Sequence, residues 1–272
     1  MKRILTIQDI SCVGHCSMAV AMPVLSVCGH ETCMLPSKLL STHTGGFGQP
    51  SVTDLSASMS QIVAHWQQQG ITFDAIYTGY LGSTAAVETA MVIAGRMLAP
   101  GGVLIVDPAM ADHGKRYSGL DEAYAFAMAK LCEKADILIP NLTEAAMLSG
   151  MEYRENADEN YVNQLLDELS CDNVILTGVS NEPGMTGVTV KQGSRRFSYS
   201  HLRVDRSFHG TGDMFAAAFV GALMQGKPME RAVQIASNYV LRCVQITVRQ
   251  PAHWYGVRFE SALGDLIRML EA

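Results

Sequence analysis

The chain has 272 residues, a formal net charge of −6 and 48% hydrophobic residues, so it can bury a substantial core in one large α/β domain or two small ones. Charged residues make up 17% of the chain, below the ~25% of an average domain, but the ordinary hydrophobic content excludes wholesale disorder. The mild acidity argues against nucleic acid as the main partner, because proteins that bind phosphate backbones usually present a basic face.

The sequence offers no segment that suits a membrane. The most apolar run, 211–223, contains Asp213 and falls short of the ~20 residues that a membrane span needs. At the N-terminus, Gln8 and Asp9 interrupt the apolar run too early for a signal peptide. The seven cysteines include no Cys-x-x-Cys pair. We therefore expect a cytoplasmic protein with reduced, mostly buried thiols and no membrane partner.

Short apolar runs rich in Ile, Val and Leu alternate with longer helical patterns. Predicted strands cover residues 3–8, 75–78, 103–107, 136–139 and 174–177, and predicted helices cover 51–69, 83–98, 122–134 and 156–169. The alternating segments 186–191 and 195–200 predict an antiparallel hairpin, and helices are predicted at 211–225, 229–248 and 260–270. This order predicts a mostly parallel sheet with helices on both faces. The chain shows no repeat or linker, so we expect a single domain over residues 1–272.

The segment Gly210-Thr211-Gly212-Asp213 opens one of these helices. Backbone N–H groups at a glycine-rich helix start can bind one anionic oxygen, and a carboxylate in the first turn can accept the proton of an alcohol. Phosphorylation of an alcohol needs both, because phosphoryl transfer depends mainly on positioning and electrostatics. The same residues also fit an ordinary helix start whose first-turn acid interacts with the helix dipole. A Walker-type phosphate loop is absent from the sequence.

A second set of polar residues follows two predicted strands. Asp107 and Asp112 follow one strand, and Asn141 and Glu144 follow the next; ligands of open α/β sheets bind at these carboxyl ends. Carboxylate and amide oxygens suit a Mg²⁺ ion that keeps several waters and binds substrate phosphates. A helix cap explains part of the set equally well, with Asn141 or Thr143 as N-cap and Glu144 as an early acid.

In chain order, these segments resemble the pyridoxal kinases of the ribokinase superfamily over nearly the whole length. The similar segments are Ile7-Gln8, Val13-Gly14-His15, 41–48 (Ser-Thr-His-Thr-Gly-Gly-Phe-Gly), 78–83 (Thr-Gly-Tyr-Leu-Gly-Ser), 107–112 (Asp-Pro-Ala-Met-Ala-Asp), 140–144 (Pro-Asn-Leu-Thr-Glu) and 210–213. The last two mark the superfamily, and the others narrow it to kinases of vitamin B6. The resemblance implies a ribokinase-like three-layer α/β/α sandwich, and typically a homodimer whose open sheet edge is covered by the partner.

The resemblance also implies roles for single residues in phosphoryl transfer. Asp213 would deprotonate the hydroxymethyl group of the B6 vitamer, and the N–H groups of Gly210, Thr211 and Gly212 would hold the transferring phosphoryl group. Mg²⁺ and ATP are the implied cofactors, and a monovalent cation such as K⁺ is left open. The implied ATP-binding residues are Asp107, Asp112, Lys115, Asn141, Glu144 and Thr177, of which Asp112 and Glu144 would serve the metal.

On the substrate side, the resemblance places His43 and Thr44 near the polar edge of the pyridine ring and Tyr80 on its face. Asp9 stands where these kinases commonly have serine. A carboxylate there can accept a hydrogen bond from a protonated ring nitrogen or attract an amine, which favours pyridoxamine, or it can move the preference away from B6. Two alternatives therefore stay open: a hydroxymethylpyrimidine kinase of thiamine synthesis, and a catalytically silent relative that binds its ligand without consuming ATP.

Overall fold

The computed structural model describes residues 1–180, 182–204, 206, 208–250 and 252–272. Its centre is a nine-stranded sheet. The strands are β1 (Arg3–Ser11), β2 (Glu31–Leu40), β3 (Val52–Asp54), β4 (Phe73–Thr78), β5 (Leu98–Val106), β6 (Ala111–Asp112), β7 (Lys115–Arg116), β8 (Ile137–Leu138), β9 (Asn173–Thr177), β10 (Met185–Gln192) and β11 (Arg195–Leu202). The sheet has the order β11-β10-β9-β8-β5-β4-β1-β2-β3, and β6 pairs with β7 in a separate small hairpin.

The centre of the sheet is parallel, as the sequence predicts. Strands β2, β1, β4, β5, β8 and β9 run in one direction, and β3, β10 and β11 are antiparallel to their neighbours. Parallel strands with helical crossovers place their carboxyl ends at one edge of the sheet. The residues that follow β1, β4, β5, β8 and β9 therefore share that edge.

Helices cover both faces of the sheet. They are α1 (Met18–Val27), α2 (Ser56–Gln68), α3 (Thr84–Met97), α4 (Glu122–Cys132), α5 (Leu142–Ser149), α6 (Glu159–Glu168), α7 (Thr211–Met224), α8 (Met229–Val248) and α9 (Leu263–Glu271). One core contains side chains of α1, α7, α8 and α9, and the other contains side chains of α2 to α6. In β1, Ile4 points into the first core and Leu5 into the second, because successive strand residues face opposite sides. The α/β/α sandwich is confirmed.

The first fifty residues differ most from the predicted elements. Helix α1 and strand β2 were not predicted. Almost every residue of α1 is apolar and Pro23 lies inside it, so the helix lacks the one-sided pattern of an ordinary surface helix. The helix predicted at 51–69 begins only at Ser56, because Val52–Asp54 pair with β2 and the Asp54 carboxylate accepts the Ser56 N–H at 2.8 Å. The 186–200 hairpin is confirmed as β10 and β11. No helix in the described part of the chain is long and apolar enough to cross a membrane.

Candidate active site

Helix α7 begins at a glycine that touches the loop after β1. Gly210, the N-cap, has φ of 81°, and a Cβ at this residue would lie 1.8 Å from the carbonyl oxygen of His15. Gly212 is open, because outside α7 no described heavy atom lies within 4 Å of the position that its Cβ would take. The first N–H groups of a helix lack intrahelical acceptors. The start of this 14-residue helix can therefore bind an anion beside Gly212.

Asp213 lies in the first turn of α7. Burial, the main cause, and the nearby charge of Asp9 raise the pKa of its carboxyl to about 6, while a backbone N–H from Ser17 acts in the opposite direction. A carboxyl group with this pKa is ionised at neutral pH and accepts protons better than an ordinary aspartate does. The position and the pKa both suit a general base.

Asp9 lies close to Asp213, at the end of β1, where the register with β2 shifts between Gln8 and Ile10. Only 4% of Asp9 is exposed. Its carboxylate accepts the Ser11 hydroxyl at 3.1 Å, and its backbone N–H donates to the carbonyl of Tyr80 at 3.1 Å. Burial raises the pKa of Asp9, against the effect of hydroxyl groups that stabilise its ionised form. The site therefore holds the buried carboxyl group of Asp9 on β1 and the half-buried carboxyl group of Asp213 on α7.

Glu144 joins the start of α5 to the loop after β5. Its Oε1 accepts the N–H of Met110 at 2.9 Å and that of Ala111 at 3.4 Å. Its Oε2 accepts the N–H of Asn141 at 2.9 Å, and the Asn141 side chain accepts the Glu144 N–H at 3.0 Å, which completes a capping box. Burial raises the pKa of Glu144 to about 7 in spite of these donors. The helix cap considered from the sequence is therefore present.

Asp107 follows β5 and is electrostatically linked to both parts of the site. Its carboxylate accepts the N–H of Ala109 at 3.1 Å, and Ala109 has a positive φ of 39°. Burial raises the pKa of Asp107 well above its usual range, and the charges of Glu144 and Asp213 raise it further. The three acids are therefore close enough at the carboxyl ends of the strands for their charges to interact.

Asp112 and Lys115 face each other as register partners in the β6–β7 hairpin. The Asp112 side chain is 52% exposed, and its charge contributes to the raised pKa of Glu144. Lys115 is exposed. Asn141 donates from its side chain to the carbonyl of Ala111 at 2.7 Å. The hairpin is thus anchored beside Glu144 and leaves both charged side chains accessible to a ligand.

Thr177 ends β9 and forms a parallel bridge with Asn141. Its N–H donates to the carbonyl of Pro140 at 2.9 Å, and its hydroxyl donates to the same oxygen at 3.3 Å. The structure thus brings together two residues that lie 36 positions apart in the sequence. They occupy the edge of the sheet where ligands of open α/β proteins bind.

The acidic residues partly fit a Mg²⁺ ion. The described residues contain no group of three or more His, Cys, Asp or Glu side chains that could hold a metal by themselves. Mg²⁺ usually takes one or two carboxylates and completes its shell with water and substrate phosphates. Asp112 offers an accessible carboxylate. Both oxygens of Glu144 already accept backbone N–H groups, so Glu144 suits a contact through water.

The predicted substrate residues occupy different environments. Tyr80 is half-buried, and its ring centroid lies 6.5 Å from that of Tyr117. Burial raises the pKa of the Tyr80 hydroxyl, and the charge of Asp9 raises it further. His43 is buried, its Nδ1 accepts the N–H of Gly45 at 2.9 Å, and burial lowers its pKa. His43 therefore shapes its own loop, whereas the neighbouring Thr44 is exposed.

Two features of this region were missed from the sequence. The ring of Trp254 packs on the loop of residues 41–48, where a Cβ on Gly46 would lie 2.8 Å from it and where the Phe47 ring centroid is 4.6 Å away. Nothing in the sequence relates Trp254 to a loop two hundred residues earlier. Ser17 was also missed, although a serine before an apolar run is a recognisable helix-start signal.

Comparison with known proteins agrees with this geometry. The family model described as phosphomethylpyrimidine kinase matches residues 41–256. The pyridoxine/pyridoxal/pyridoxamine kinase of Bordetella avium is 29% identical and covers 90% of this chain and 85% of its own length. The crystal structure of pyridoxal kinase from Lactobacillus plantarum superposes with a TM-score of 0.90 at 31% identity, covering 100% of this chain and 98% of that one. The hydroxymethylpyrimidine/phosphomethylpyrimidine kinase of Bacillus subtilis is 28% identical over 53% of this chain and 54% of its own.

The α/β/α fold, the open glycine-rich start of α7 and the acid in its first turn fit a kinase of the ribokinase-like superfamily, to which the comparisons assign the chain. The chain belongs to the phosphomethylpyrimidine kinase family, and within it to the pyridoxal kinases.

Proposed function

We propose that this chain transfers the γ-phosphoryl group of ATP to the 5′-hydroxymethyl group of pyridoxal, pyridoxine or pyridoxamine. One observation carries the proposal: the half-buried Asp213, with a pKa of about 6, stands in the first turn of a helix whose N-terminus is open at Gly212. A proton acceptor and an anion site are thus within one helical turn of each other. Both are required for phosphoryl transfer to an alcohol.

In this mechanism Asp213 accepts the hydroxyl proton as the substrate oxygen attacks phosphorus. The N–H groups of Gly210, Thr211 and Gly212 bind the equatorial oxygens of the transferring group, where charge develops. The start of α7 is held by the close contact between Gly210 and His15, so these donors are oriented before the substrate arrives. Residues 1–272 act as one kinase domain.

The nucleotide occupies the neighbouring strand ends. The proposed ATP-binding residues are Asp107, Asp112, Lys115, Asn141, Glu144 and Thr177. Asp112 would hold a bound Mg²⁺ directly and Glu144 would hold it through water, and the ion would supply positive charge to the phosphates. Lys115, which is exposed on the same hairpin as Asp112, closes over the phosphates. The charges of Glu144 and Asp213 help to raise the pKa of Asp107, so this part of the site favours a cation, which would also offset the charge of a bound polyanion.

The vitamer binds between Asp9 and the loop of residues 41–48. Asp9 accepts a hydrogen bond from the protonated ring nitrogen or from the amine of pyridoxamine, since a buried carboxylate gains most from a charged donor. Tyr80 packs on the ring face. Thr44, exposed beside the buried His43, binds the polar edge of the ring.

A homodimer in the cytoplasm is the proposed working form. Met34, Leu39 and Val52 are 40–50% exposed along the β2–β3 edge of the sheet. An apolar sheet edge of this kind favours coverage by a partner. All seven cysteines are free, which suits a reducing compartment.

Turnover with each candidate substrate tests the proposal. The purified chain is incubated with Mg²⁺–ATP and pyridoxal, pyridoxine, pyridoxamine or hydroxymethylpyrimidine, and the phosphate ester is identified by mass spectrometry. We expect the 5′-phosphate of at least one vitamer, formed with a higher kcat/KM than the pyrimidine product. Exclusive activity on the pyrimidine would identify a kinase of thiamine synthesis, and binding without ADP release would identify a catalytically silent relative.

A further inference from the structure

The loop after β1 contacts both sides of the proposed site, and its first contact is with residues 41–48, here called the vitamer loop. The carbonyl of Val13 accepts the N–H of His43 at 3.1 Å. Gly14 has φ of 123°, and a Cβ there would lie 2.0 Å from the imidazole ring of His43. The backbone after β1 therefore packs directly on the vitamer loop, and this contact requires glycine at position 14.

His15, the next residue, contacts the phosphoryl side through its main chain. Its carbonyl oxygen lies against Gly210 at the start of α7, where a Cβ would be 1.8 Å away. Its side chain makes different contacts: Nδ1 lies 2.7 Å from the carbonyl oxygen of Val257, and Nε2 lies 3.1 Å from Oε1 of Glu260. One residue thus joins the start of α7 to the segment of residues 253–260.

The imidazole of His15 has a defined donor atom. A carbonyl oxygen can only accept a hydrogen bond, so Nδ1 donates to Val257 whether the ring is neutral or charged. The contact of Nε2 with Glu260 is secondary, because the Glu260 side chain is 53% exposed and an exposed ion pair contributes little to stability. The bond from Nδ1 to Val257 is therefore the main polar attachment of the ring.

Val257 is a fixed anchor for this bond. It is fully buried, and its carbonyl oxygen also accepts the N–H of Phe259 at 3.0 Å. The N–H of the intervening residue, Arg258, donates to the hydroxyl oxygen of the buried Thr247 in α8 at 2.9 Å. The anchor is thus tied to α8 without help from His15, and loss of the His15 bond leaves the Val257 carbonyl with one donor.

The segment of residues 253–260 also contacts the vitamer loop. His43 donates from Nε2 to the carbonyl of Tyr255 at 3.4 Å, since its Nδ1 accepts a backbone N–H. The ring of His253 stacks with that of His15 at a centroid distance of 5.3 Å. The loop after β1, the vitamer loop and this segment therefore form a closed set of contacts beside the start of α7.

We propose that His15 is a positioning residue whose Nδ1–H bond to Val257 fixes the start of α7 relative to the vitamer loop. The inference rests on the proposed function, in which the start of α7 binds the phosphoryl group and the vitamer loop binds the alcohol substrate. His15 itself touches neither group. Its carbonyl sets the position of Gly210, so movement of the loop after β1 moves the phosphoryl-binding N–H groups away from the attacking oxygen. A misplacement of about 1 Å can cost about a hundredfold in rate.

Three substitutions at His15 separate the Nδ1 donor from the bulk of the ring. Asparagine places an amide N–H close to the position of Nδ1, glutamine places one close to that of Nε2, and alanine supplies neither. We expect kcat for the preferred vitamer to stay close to the wild-type value in His15→Asn and to fall by about 10- to 100-fold in His15→Gln and His15→Ala. KM for ATP should be unchanged in all three, because the proposed nucleotide residues stand at other strand ends.

Glu260→Gln is the matched control. It keeps the size of the side chain next to Nε2 and removes only an exposed ion pair, so kcat should not change. Thermal unfolding gives Tm for each variant, and kinetics are measured well below the lowest Tm, where every variant is folded. A loss of kcat under these conditions reports the position of the loops and not the fraction of folded enzyme.

Amide hydrogen exchange checks the arrangement without turnover. Peptides that cover residues 41–48 and 210–214 should exchange faster in His15→Gln and His15→Ala than in the wild type or His15→Asn. Wild-type kcat in the alanine and glutamine variants would overturn the inference, and so would equal losses of kcat in all three variants. If the wild type phosphorylates no vitamer, the proposed function has failed, and the exchange rates still decide whether His15 holds the loops.

Discussion

The carbonyl oxygen of His15 lies 1.8 Å from the position that a Cβ on Gly210 would occupy. The loop after the first strand and the start of α7 are therefore in backbone contact, and this contact is possible only because residue 210 has no side chain. The other glycine of the segment, Gly212, has open space at the same position. The two glycines thus serve different purposes, one in packing and one in access of a ligand to the helix start.

Alanine at each glycine separates these purposes. Gly210→Ala creates a backbone clash and a strained positive φ. We expect the free energy of unfolding to fall by at least about 2 kcal/mol and kinase activity to be lost. Gly212→Ala meets no described atom outside α7, so its Tm should stay close to the wild-type value while kcat falls about a hundredfold, because the methyl group occupies the phosphoryl site. Thermal unfolding and steady-state kinetics measure both. A fully active Gly212→Ala enzyme would place the phosphoryl group elsewhere.

Asp213→Asn should remove the general base and leave the fold intact. Asparagine is nearly the same size as aspartate, but its side chain cannot take up a proton. We expect kcat to fall about 10²- to 10⁴-fold while ATP binding, measured by calorimetry, is retained. In the wild type, kcat/KM should be constant above pH 7 and fall tenfold per unit below the pKa of about 6. An acidic limb that persists unchanged in the variant would belong to another group.

The same substitution should stabilise the protein at neutral pH. Asp213 has a pKa of about 6 in the folded chain and 3.8 as a free side chain, so the folded state binds the proton more tightly. Its contribution to stability is therefore complete below pH 4 and is lost as the pH rises through 6. We expect Asp213→Asn to be more stable than the wild type at pH 7.5 by on the order of 1–3 kcal/mol. Urea unfolding at pH 5 should show a smaller difference, and an equal difference at both pH values would refute this origin.

The parallel sheet and the start of α7 could be predicted from sequence because their signals are local. Strand β9 is a continuous apolar run, and the Gly210–Asp213 segment carries its chemistry in four consecutive residues. The contacts that complete the site could not be predicted in this way. Trp254 packs on Gly46, and the His15 carbonyl packs on Gly210; each contact joins segments about two hundred residues apart. Such pairs become neighbours only after the sheet order is known.

Glu144 shows why a motif alone could not decide between a cap and a metal site. The sequence permitted either, and the structure shows a capping box whose acid also holds the loop after β5. The two roles use the same carboxylate, because the loop N–H groups and the helix start meet at one point. Only the positions of Met110 and Ala111, which lie on another strand end, reveal that both oxygens of Glu144 are already engaged.

Glu144→Ala should therefore be strongly destabilising whether or not ligands are present. It leaves the buried N–H groups of Met110 and Ala111 and the partly buried N–H of Asn141 without their acceptor, and we expect a loss of about 3–5 kcal/mol in the free energy of unfolding by urea. Glu122→Ala is the matched control, since Glu122 is also a first-turn acid, on α4, but its side chain is 93% exposed; its cost should stay below about 0.5 kcal/mol. Equal losses of stability in the two variants would show that the hydrogen bonds of Glu144 stabilise the fold no more than an exposed first-turn acid does.

Asp9→Ser tests whether the buried carboxylate selects the substrate, by installing the residue that pyridoxal kinases commonly have there. Loss of the negative charge should lower the pKa of Asp213 below 6, because the charge of Asp9 helps to raise it, so the acidic limb of kcat moves to lower pH. It should also reduce kcat/KM for pyridoxamine relative to pyridoxine by roughly tenfold, the value of one charge-assisted hydrogen bond. Asp74→Ser makes the same change in net charge at an exposed ion pair with Lys2 and should alter neither quantity. The ratio of kcat/KM for pyridoxamine to that for pyridoxine could stay constant while the acidic limb of kcat moves to lower pH. In that case Asp9 acts on Asp213 and does not contact the ring or the amine of the vitamer.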